Sequence, residues 1–145
     1  MSVYLERLDY KEQNKIIDLI YKDEVLYETF LEKGNTLGRL SNSAYVAFIK
    51  DEDIVVGFVM LVEIPETNTY EVDMGILKDY RKKGYGSIAL SLLKDLIKNN
   101  KLNVEIQTKK ENIGAIKSVL KNGFVLLRQD EECNYYTLEA EGKKK

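Results

Sequence analysis

The spacing of apolar residues along the chain predicts short strands alternating with amphipathic helices. In strands, apolar side chains recur at every second residue, and in helices they recur about every 3.6 residues. Tyr70, Val72, Met74 and Ile76 show the first spacing, separated by polar residues and a glycine. The predicted strands, several of which are simply β-prone apolar runs, cover residues 4–8, 44–49, 54–62, 70–76, 104–107, 124–127 and 135–138.

The helices are predicted from apolar faces and from residues that suit helix ends. Four amphipathic segments are expected, opening at residues 9, 23 and 112 and centred on 92–97. Asp9, Asp23 and Asn112 are good N-cap residues, because their side chains can accept hydrogen bonds from the free N–H groups of a first helical turn. Gly34 and Gly123 can end the helices before them, Gly34 in the left-handed conformation that glycine adopts without strain.

These elements follow the order β-α-α-β-β-β-α-β-α-β-β, with a polar turn at residues 50–53 inside an antiparallel hairpin. The order predicts an α/β (α+β) fold with a mixed, mostly antiparallel central sheet of about seven strands flanked by about four helices. The length of 145 residues suits a single domain over residues 1–145, of which about 140–145 form a frayed tail.

Two counts in the composition exclude whole classes of chemistry. The chain has no histidine, which removes the commonest general base, the commonest metal ligand and every Ser–His or Cys–His nucleophile pair. Cys133 is the single cysteine, so neither a disulfide framework nor a cysteine-rich metal site is expected. Acid–base chemistry must then use carboxylates, tyrosines, the thiol or water, and no metal is predicted.

Charge is distributed unevenly along the chain. Residues 1–80 carry 8 Lys/Arg and 16 Asp/Glu, whereas residues 81–145 carry 14 and 8. The basic half suits a polyanionic ligand, with solvated helix faces as the equally open alternative, and the acidic half favours a cationic partner. Scattered tyrosines in an acidic context do not predict nucleic-acid binding. No segment has the pattern of a membrane span or a signal peptide, so no membrane partner is expected and the cytoplasm is the expected compartment.

The segment most informative about function is the hexapeptide RKKGYG at residues 81–86, between a predicted strand and a predicted helix. Helix N-termini carry free N–H groups and a partial positive charge, and glycines let the backbone approach a phosphate closely. The segment fits neither a Walker-A loop, G-x-x-x-x-G-K-S/T, nor the dinucleotide fingerprint G-x-G-x-x-G. It therefore predicts a cradle for a pyrophosphate, with a basic connection of no function as the alternative.

In this setting the sequence resembles the GNAT superfamily of N-acetyltransferases, which depend on acetyl-CoA. Arg81, Gly84 and Gly86 fill the family signature Q/R-x-x-G-x-G/A at the end of the fourth strand. A second family pattern has an asparagine opening the next helix, an alanine three residues on, and Gly-Phe near the end of that helix. The residues that match it are Asn112, Ala115, Gly123 and Phe124. The order of elements agrees over nearly the whole chain.

The resemblance implies where acetyl-CoA binds. Backbone amides from Lys82 to Ser87 would hold the pyrophosphate. The cofactor-binding residues of the turn would be Arg81, Lys82, Lys83, Gly84, Tyr85, Gly86 and Ser87. The main chain of Met74, Gly75 and Ile76 in the fourth strand would pair with the pantetheine arm like an added strand, and strands four and five would splay apart to admit it. Asn112 would contact the cofactor near the start of its helix.

The resemblance also implies the reaction, and the sequence departs from the family at two positions. The amine would attack the thioester carbonyl directly, and a backbone N–H of the fourth strand would polarise that carbonyl. Val119 stands where many members have a tyrosine that serves as general acid, and Gln107 stands where some have a glutamate base. The acid–base pair of the peptide N-terminal acetyltransferases is therefore missing.

A base is still needed, because an ammonium group cannot attack. Glu71, on the polar face of the fourth strand, is the first candidate, and Asp73 on the same face is the second. Tyr135 or Tyr136 could serve as the acid, and Cys133 could accept an acyl group. For each of these residues a purely structural role is the alternative.

The sequence thus predicts an N-acetyltransferase that moves an acetyl group from acetyl-CoA to a primary amine of a small-molecule or peptide acceptor. The acidic first 80 residues favour a cationic acceptor. Two alternatives stay open: a non-catalytic acyl-CoA-binding sensor or partner module, and a scaffold that kept the fold and lost the ligand. The intact glycines of the turn oppose the second. Dimerisation is common in the family, so a homodimer is compatible with the resemblance, although no sequence feature points to one.

Overall fold

The computed structural model describes residues 2–34 and 36–138, apart from the side chain at position 33. The strands are β1 Val3–Arg7, β2 Ser43–Asp51, β3 Ile54–Glu63, β4 Thr69–Ile76, β5 Asn103–Lys109, β6 Val125–Gln129 and β7 Cys133–Thr137. The helices are α1 Asn14–Tyr21, α2 Glu24–Lys33, α3 Thr36–Ser41, α4 Tyr85–Asn99 and α5 Ile113–Lys121, with single 3-10 turns at Tyr10–Glu12 and Lys78–Tyr80. The tail predicted at 140–145 lies outside the described residues.

All seven strands form one sheet in the order β1-β2-β3-β4-β5-β7-β6. Every neighbouring pair is antiparallel except β4 and β5, which are parallel. The parallel pairing begins at Thr69 beside Asn103 and ends at Glu71 beside Glu105. Beyond this point both strands continue without pairing to each other, which confirms the predicted sheet and its splay between strands 4 and 5.

Helices cover both faces of the sheet and divide the core in two. On one face, α1, α2 and α3 pack on β2 and β3. The buried side chains of this core include Ile16, Ile20, Leu26, Phe30, Leu40, Phe48, Phe58 and Met60. On the other face, α4 and α5 pack on the middle of the sheet. That core includes Leu90, Leu93, Val119, Val59, Leu61, Val72, Val104 and Ile106. The helices therefore bury apolar side chains against alternate residues of the strands.

The structure differs from the sequence prediction mainly before β2. Asp9 does accept a hydrogen bond from the Glu12 N–H, at 3.0 Å, but it caps a single 3-10 turn, and α1 begins only at Asn14. Gly34 has φ 74° and ψ 157°, so its φ is positive but its conformation is not the predicted left-handed one. The short helix α3 was not predicted. It has six residues, one of them Gly38, and so carries almost no periodic signal.

Gly57 in β3 provides a test of the close packing between β3 and β4. A Cβ at this position would clash with the Gly75 carbonyl oxygen and would lie 3.2 Å from Ile76 Cα, both of which are backbone atoms. Because backbone cannot yield as a side chain can, Gly57→Ala should lower the free energy of unfolding by about 2 kcal/mol or more. As a control, an added Cβ at Gly114 in α5 would meet only Asn112 Oδ1, at an ordinary contact distance of 4.0 Å, so Gly114→Ala should raise the free energy of unfolding by about 0.5 kcal/mol. Equal unfolding midpoints in urea for the two variants would contradict this account.

Candidate active site

The unpaired stretch between β4 and β5 forms a slot, and β4 lines one side of it. Leu77 N–H donates to Val56 O in β3 at 2.8 Å. Because main-chain groups of successive strand residues point to opposite edges, those of Ile76 and Met74 face the slot. The Ile76 carbonyl there accepts a hydrogen bond from Arg81 Nε at 2.9 Å. Met74 thus offers its N–H and C=O to anything that enters.

The other side of the slot is β5, and the same reasoning identifies its open groups. Lys110 N–H donates to Glu132 O, which lies just before β7, at 3.0 Å. By alternation, the main-chain groups of Gln107 and Lys109 point the other way, toward β4. Both edges of the slot therefore present extended backbone with main-chain groups available to pair with a third, strand-like segment.

Gly75, also predicted to contact the cofactor, has a different position. Its main-chain groups are directed to β3 rather than to the slot, since it has the same phase as Leu77. An added Cβ would lie 2.7 Å from Leu26 Cδ2 and 2.9 Å from the Phe58 ring. The absence of a side chain at Gly75 leaves room for Leu26 of α2 to pack against β4.

The predicted phosphate turn lies at the start of α4. Gly84 is its N-cap residue in the left-handed conformation, with φ 89° and ψ 2°, and Lys82 also has a positive φ of 63°. The first N–H of the helix that finds an acceptor in the described chain is that of Ile88, bonded to Gly84 O at 3.1 Å. The amide N–H groups of residues 82–87 are therefore available at the N-terminus of α4, where the helix dipole favours an anion. No atom lies within 4 Å of an added Gly84 Cβ, so the approach is open.

The side chains of this turn have separate roles. Tyr85 is buried, and its hydroxyl donates to Asp51 Oδ2 at 2.5 Å, which fastens the turn to the end of β2. Asn122, which the sequence reading missed, is buried and donates to both the backbone and the hydroxyl oxygen of Ser87 at 3.3 Å. These bonds hold the loop rigidly, while Lys82 and Lys83 add positive charge beside it.

Arg81, the first residue of the family signature, is directed away from the open amides. Its Nη2 donates to Asp23 Oδ1 at 2.6 Å, in addition to the Nε bond to Ile76. Asp23 also accepts from the Leu26 N–H at 3.2 Å and from the Lys78 N–H at 2.9 Å. Burial alone would raise the pKa of Asp23, but the hydrogen bonds from Arg81, Leu26 and Lys78 outweigh it and hold that pKa below its usual value. Arg81 thus fixes the shape of the turn.

Asn112 is where the sequence placed it, at the start of α5. Its Oδ1 accepts a hydrogen bond from the Ala115 N–H at 3.1 Å, so the predicted N-cap is confirmed. The same bond occupies the carbonyl end of the side chain, which leaves the amide nitrogen as the group that could reach a ligand.

On the face covered by α1 to α3, the two carboxylates of β4 share one arginine of α3. Arg39 makes three hydrogen bonds of 2.8 to 3.0 Å to Asp73 and one of 2.6 Å to Glu71. The side chain of Asp73 is fully buried, whereas that of Glu71 is 19% exposed. Burial alone would lower the pKa of Arg39, but the attraction of Asp73 and Glu71 outweighs it and raises that pKa. The guanidinium is therefore permanently charged and held in one orientation.

The remaining candidates lie on β5 and β7. Gln107 Nε2 donates to Cys133 Sγ at 3.0 Å, and the thiol is buried. Tyr135 donates to Asp130 Oδ2 at 2.8 Å, and this bond, with partial burial, raises the pKa of Tyr135 to about 12. Tyr136 is buried with its hydroxyl accepting from Asn134, on the α4–α5 face. Val119 is buried in the core, as its spacing predicts.

Helix α2 crosses above the slot. It begins at Asp23, which is bonded to the segment after β4, and near its other end Glu32 forms an ion pair of 3.0 Å with Lys109 at the end of β5. The helix therefore connects the diverging ends of the two strands on the α1–α3 face. Tyr21, Tyr27 and Leu31 are exposed on or beside it.

These features fit an acyl-CoA. The open amides at the N-terminus of α4 suit its phosphates, and the two unpaired strand edges suit an extended arm with amide groups. One buried polar atom in the described chain, Thr108 Oγ1 on β5, has no hydrogen-bond partner. Within the same residues, no group of three or more His, Cys, Asp and Glu side chains could hold a metal ion.

Comparison with known families agrees with this geometry. The model of the acetyltransferase (GNAT) family matches residues 8–124. The chain belongs to this family. Its reaction class is therefore acyl transfer from acetyl-CoA, and the predicted family, fold and enzyme class are confirmed. Among curated proteins, none matches the sequence. No helix in the described part of this GNAT protein is long and apolar enough to cross a membrane.

Solved structures share the fold at low sequence identity. RimL, a ribosomal L7/L12 alpha-N-protein acetyltransferase in complex with coenzyme A, has TM-score 0.72 and 15% identity, over 99% of this chain and 97% of that one. A GNAT family acetyltransferase from Elizabethkingia anophelis with acetyl-CoA bound has TM-score 0.71 and 14% identity, over 95% and 98%. A spermidine N-acetyltransferase SpeG chimera from Vibrio cholerae and hSSAT has TM-score 0.71 and 17% identity, over 95% of each chain. At such identities the likeness shows the fold alone.

The bonds of Asp23 predict a stability difference that depends on pH. Asp23→Asn should lower the free energy of unfolding by about 3 kcal/mol near neutral pH, because it leaves Arg81 beside an uncharged partner. Since the pKa of Asp23 is lowered on folding, this stabilisation is complete above the usual value of 3.8 and is lost as the pH falls through the folded value. Urea unfolding of wild type and variant should differ equally at about pH 7 and pH 5, and the difference should begin to shrink only below about pH 4, vanishing once the pH is below the folded pKa of Asp23.

The matched control is Asp79→Asn, at an exposed carboxylate in the adjacent 3-10 turn, which should change stability little at any of these pH values. A constant offset of the Asp23 variant across the whole range would show that packing, and not charge, gives Asp23 its effect.

Proposed function

We propose that this GNAT protein transfers an acetyl group from acetyl-CoA to a primary amine by direct attack. The observation that carries the proposal is the combination of two features: the amide-lined turn at Gly84, and the slot between Met74 of β4 and Gln107 of β5. Bound acetyl-CoA would supply the activated acyl group as a thioester. The chain itself would bind and orient the two substrates and accept the proton of the amine.

Cofactor binding would rest mainly on backbone. The amides of residues 82–87 would donate to the pyrophosphate, and Lys82 and Lys83 would add long-range attraction. The N–H and C=O groups of Met74 would pair with the arm, with Ile76 held in place through Arg81. Asn112 would contribute its free amide nitrogen. Because these donors belong to a helix end and a strand edge, they are preorganised and need little reordering on binding.

Glu71 is the group best placed to accept the proton of the amine. Asp73 is fully buried and makes three hydrogen bonds to Arg39, so it cannot reach an acceptor. Glu71 accepts a hydrogen bond of 2.6 Å from the same arginine and keeps part of its side chain exposed on the α1–α3 face. Asp73 would hold Arg39, and Arg39 would orient Glu71. These different roles support Glu71, rather than Asp73, as the proton acceptor.

No side chain has the position of the usual family acid, since Val119 is a core residue. Tyr135 is the better of the two tyrosines, because it shares the α1–α3 face with Gln107, whereas Tyr136 is buried on the other face. Its raised pKa keeps Tyr135 protonated at neutral pH, as an acid must be. Tyr135 would donate a proton to the leaving CoA thiolate if that thiolate needs a general acid.

The acceptor is proposed to be a cationic amine. Carboxylates outnumber basic groups among the ion-paired and hydrogen-bonded side chains of α2 and its N-cap, β4, β5 and the β6–β7 hairpin, counted with their partners. The acids are Asp23, Glu32, Glu71, Asp73, Glu105 and Asp130, and the bases are Arg39, Arg81, Lys109 and Arg128. The excess of negative charge would attract an ammonium group. The SpeG protein of similar fold is a spermidine N-acetyltransferase, whose substrate is of this kind.

Calorimetric titration of acetyl-CoA, CoA and ATP tests the proposed cofactor site. Micromolar binding of both CoA species without binding of ATP would support the site, and a screen of amines for thiol release would then test the proposed acceptor class. No binding by either CoA species would overturn the proposed placement of the cofactor.

Gly84→Glu tests the turn directly. A carboxylate at this position would project into the space that the phosphates need and would repel them, so acetyl-CoA affinity should fall about a hundredfold or more. The control is Gly34→Glu, which introduces the same side chain at another open glycine of positive φ, 74°, and should leave the affinity unchanged. Titration calorimetry on both folded variants gives the comparison. Unchanged affinity in Gly84→Glu would refute the placement of the turn.

Glu71→Gln tests the proton acceptor. The amide keeps the shape of the side chain but cannot take a proton, so kcat with an amine from the screen should fall by about 10² to 10⁴. The dissociation constant of acetyl-CoA should not change, because Glu71 lies on the acceptor side. Glu63→Gln, at the exposed end of β3, controls for the loss of one negative charge. If kcat in Glu71→Gln stays near that of wild type, water or another group accepts the proton.

A further inference from the structure

The hydroxyl of Thr108 in β5 is the one buried side-chain polar atom, within residues 2–34 and 36–138, that makes no hydrogen bond. The residue as a whole is 6% exposed. Burying a hydroxyl without a partner destabilises a protein relative to an apolar side chain of the same shape. Such atoms are rare in native structures, and each needs an explanation. A valine at this position would have nearly the same volume without burying an unsatisfied hydroxyl.

The neighbours of Thr108 are already engaged with one another. Across the sheet it faces Asn134 of β7. The Asn134 amide nitrogen donates to the Tyr136 hydroxyl at 3.1 Å, and its oxygen accepts from Gln129 at 2.8 Å. The closest cross-strand polar group therefore has its own partners, and the structure offers Thr108 none. The missing partner must come from outside the described chain.

Thr108 lies beside the unpaired part of the slot. It is the third residue after Glu105, the last residue of β5 that pairs with β4, which is about 10 Å farther along the strand. By alternation its side chain is on the α4–α5 face, with Val104 and Ile106. The phosphate turn opens α4, which packs on that same face. An arm running from the turn into the slot would pass this part of β5.

We propose that Thr108 Oγ1 hydrogen-bonds an amide group of the pantetheine arm of acyl-CoA. The inference rests on the cofactor placement proposed above and adds a side-chain contact to the backbone contacts of Met74 and Gln107. A hydroxyl can both donate and accept, so it can bind either the N–H or the C=O of the arm. Thr108 would then be a cofactor-binding residue whose lost hydrogen bond is restored only in the complex.

Thr108→Val separates a ligand-binding role from a structural one, because the two roles predict opposite results. If the Thr108 hydroxyl forms a hydrogen bond only with the pantetheine arm, Thr108→Val without ligand should be at least as stable as wild type, since an unsatisfied polar group has been removed. Its dissociation constants for CoA and acetyl-CoA should rise about five- to tenfold. Thr108→Ser, which keeps the hydroxyl, should bind both ligands like wild type. Thermal unfolding and titration calorimetry supply the two measurements.

Adenosine 3′,5′-bisphosphate provides the matched ligand, because it has the nucleotide end of CoA but no pantetheine arm. Its affinity should be the same for wild type and Thr108→Val. A valine variant that is less stable without ligand but binds CoA normally would overturn the inference and assign the hydroxyl to the fold. If wild type itself fails to bind CoA, the proposed cofactor site is wrong. If wild type and Thr108→Val bind CoA equally well, only the proposed role of Thr108 is wrong.

Discussion

The carboxylate of Asp23 is the point on which the arrangement of the site depends. It accepts hydrogen bonds from the first turn of α2, from the Lys78 N–H after β4, and from Arg81. Arg81 in turn holds the Ile76 carbonyl at the edge of the slot. The buried Asp23 carboxylate thus fixes the start of helix α2, the segment after β4 and the beginning of the phosphate turn. Burial of the carboxylate alone would raise its pKa, and these donors together hold that pKa below its usual value.

Features set by local sequence were predictable, and features set by distant contacts were not. Asp23 and Asn112 cap helices as expected, because an N-cap bond joins residues only three apart. The glycine turn was also predictable. By contrast, the partner of Arg81 is 58 residues away and that of Arg39 is 34 residues away. Such pairs depend on the sheet order and on α3, a six-residue helix without periodic signal, so residue spacing could not reveal them.

The slot itself poses a physical problem, because unpaired strand edges in a folded protein invite aggregation. Here the open edges are short, starting after Glu71 and Glu105 and ending with the strands. Helix α2 connects the diverging strands on one face through Asp23 and the Glu32–Lys109 pair. That pair is largely exposed, so its contribution to stability is small and it can open at little free-energy cost. Helix α2 is therefore held more firmly at its Asp23 end than at its Glu32 end.

The carboxylates of β4 show how two similar residues two positions apart acquire different roles. Both lie on the same face, and the sequence alone ranks them only weakly. Asp73 is sealed beneath Arg39 with three hydrogen bonds, while Glu71 has part of its side chain in solvent. A buried ion pair adds little net stability against an apolar replacement, but it holds its members in one geometry. Its value at this position is therefore orientation: the buried Asp73 fixes Arg39, and Arg39 fixes the partly exposed carboxylate of Glu71.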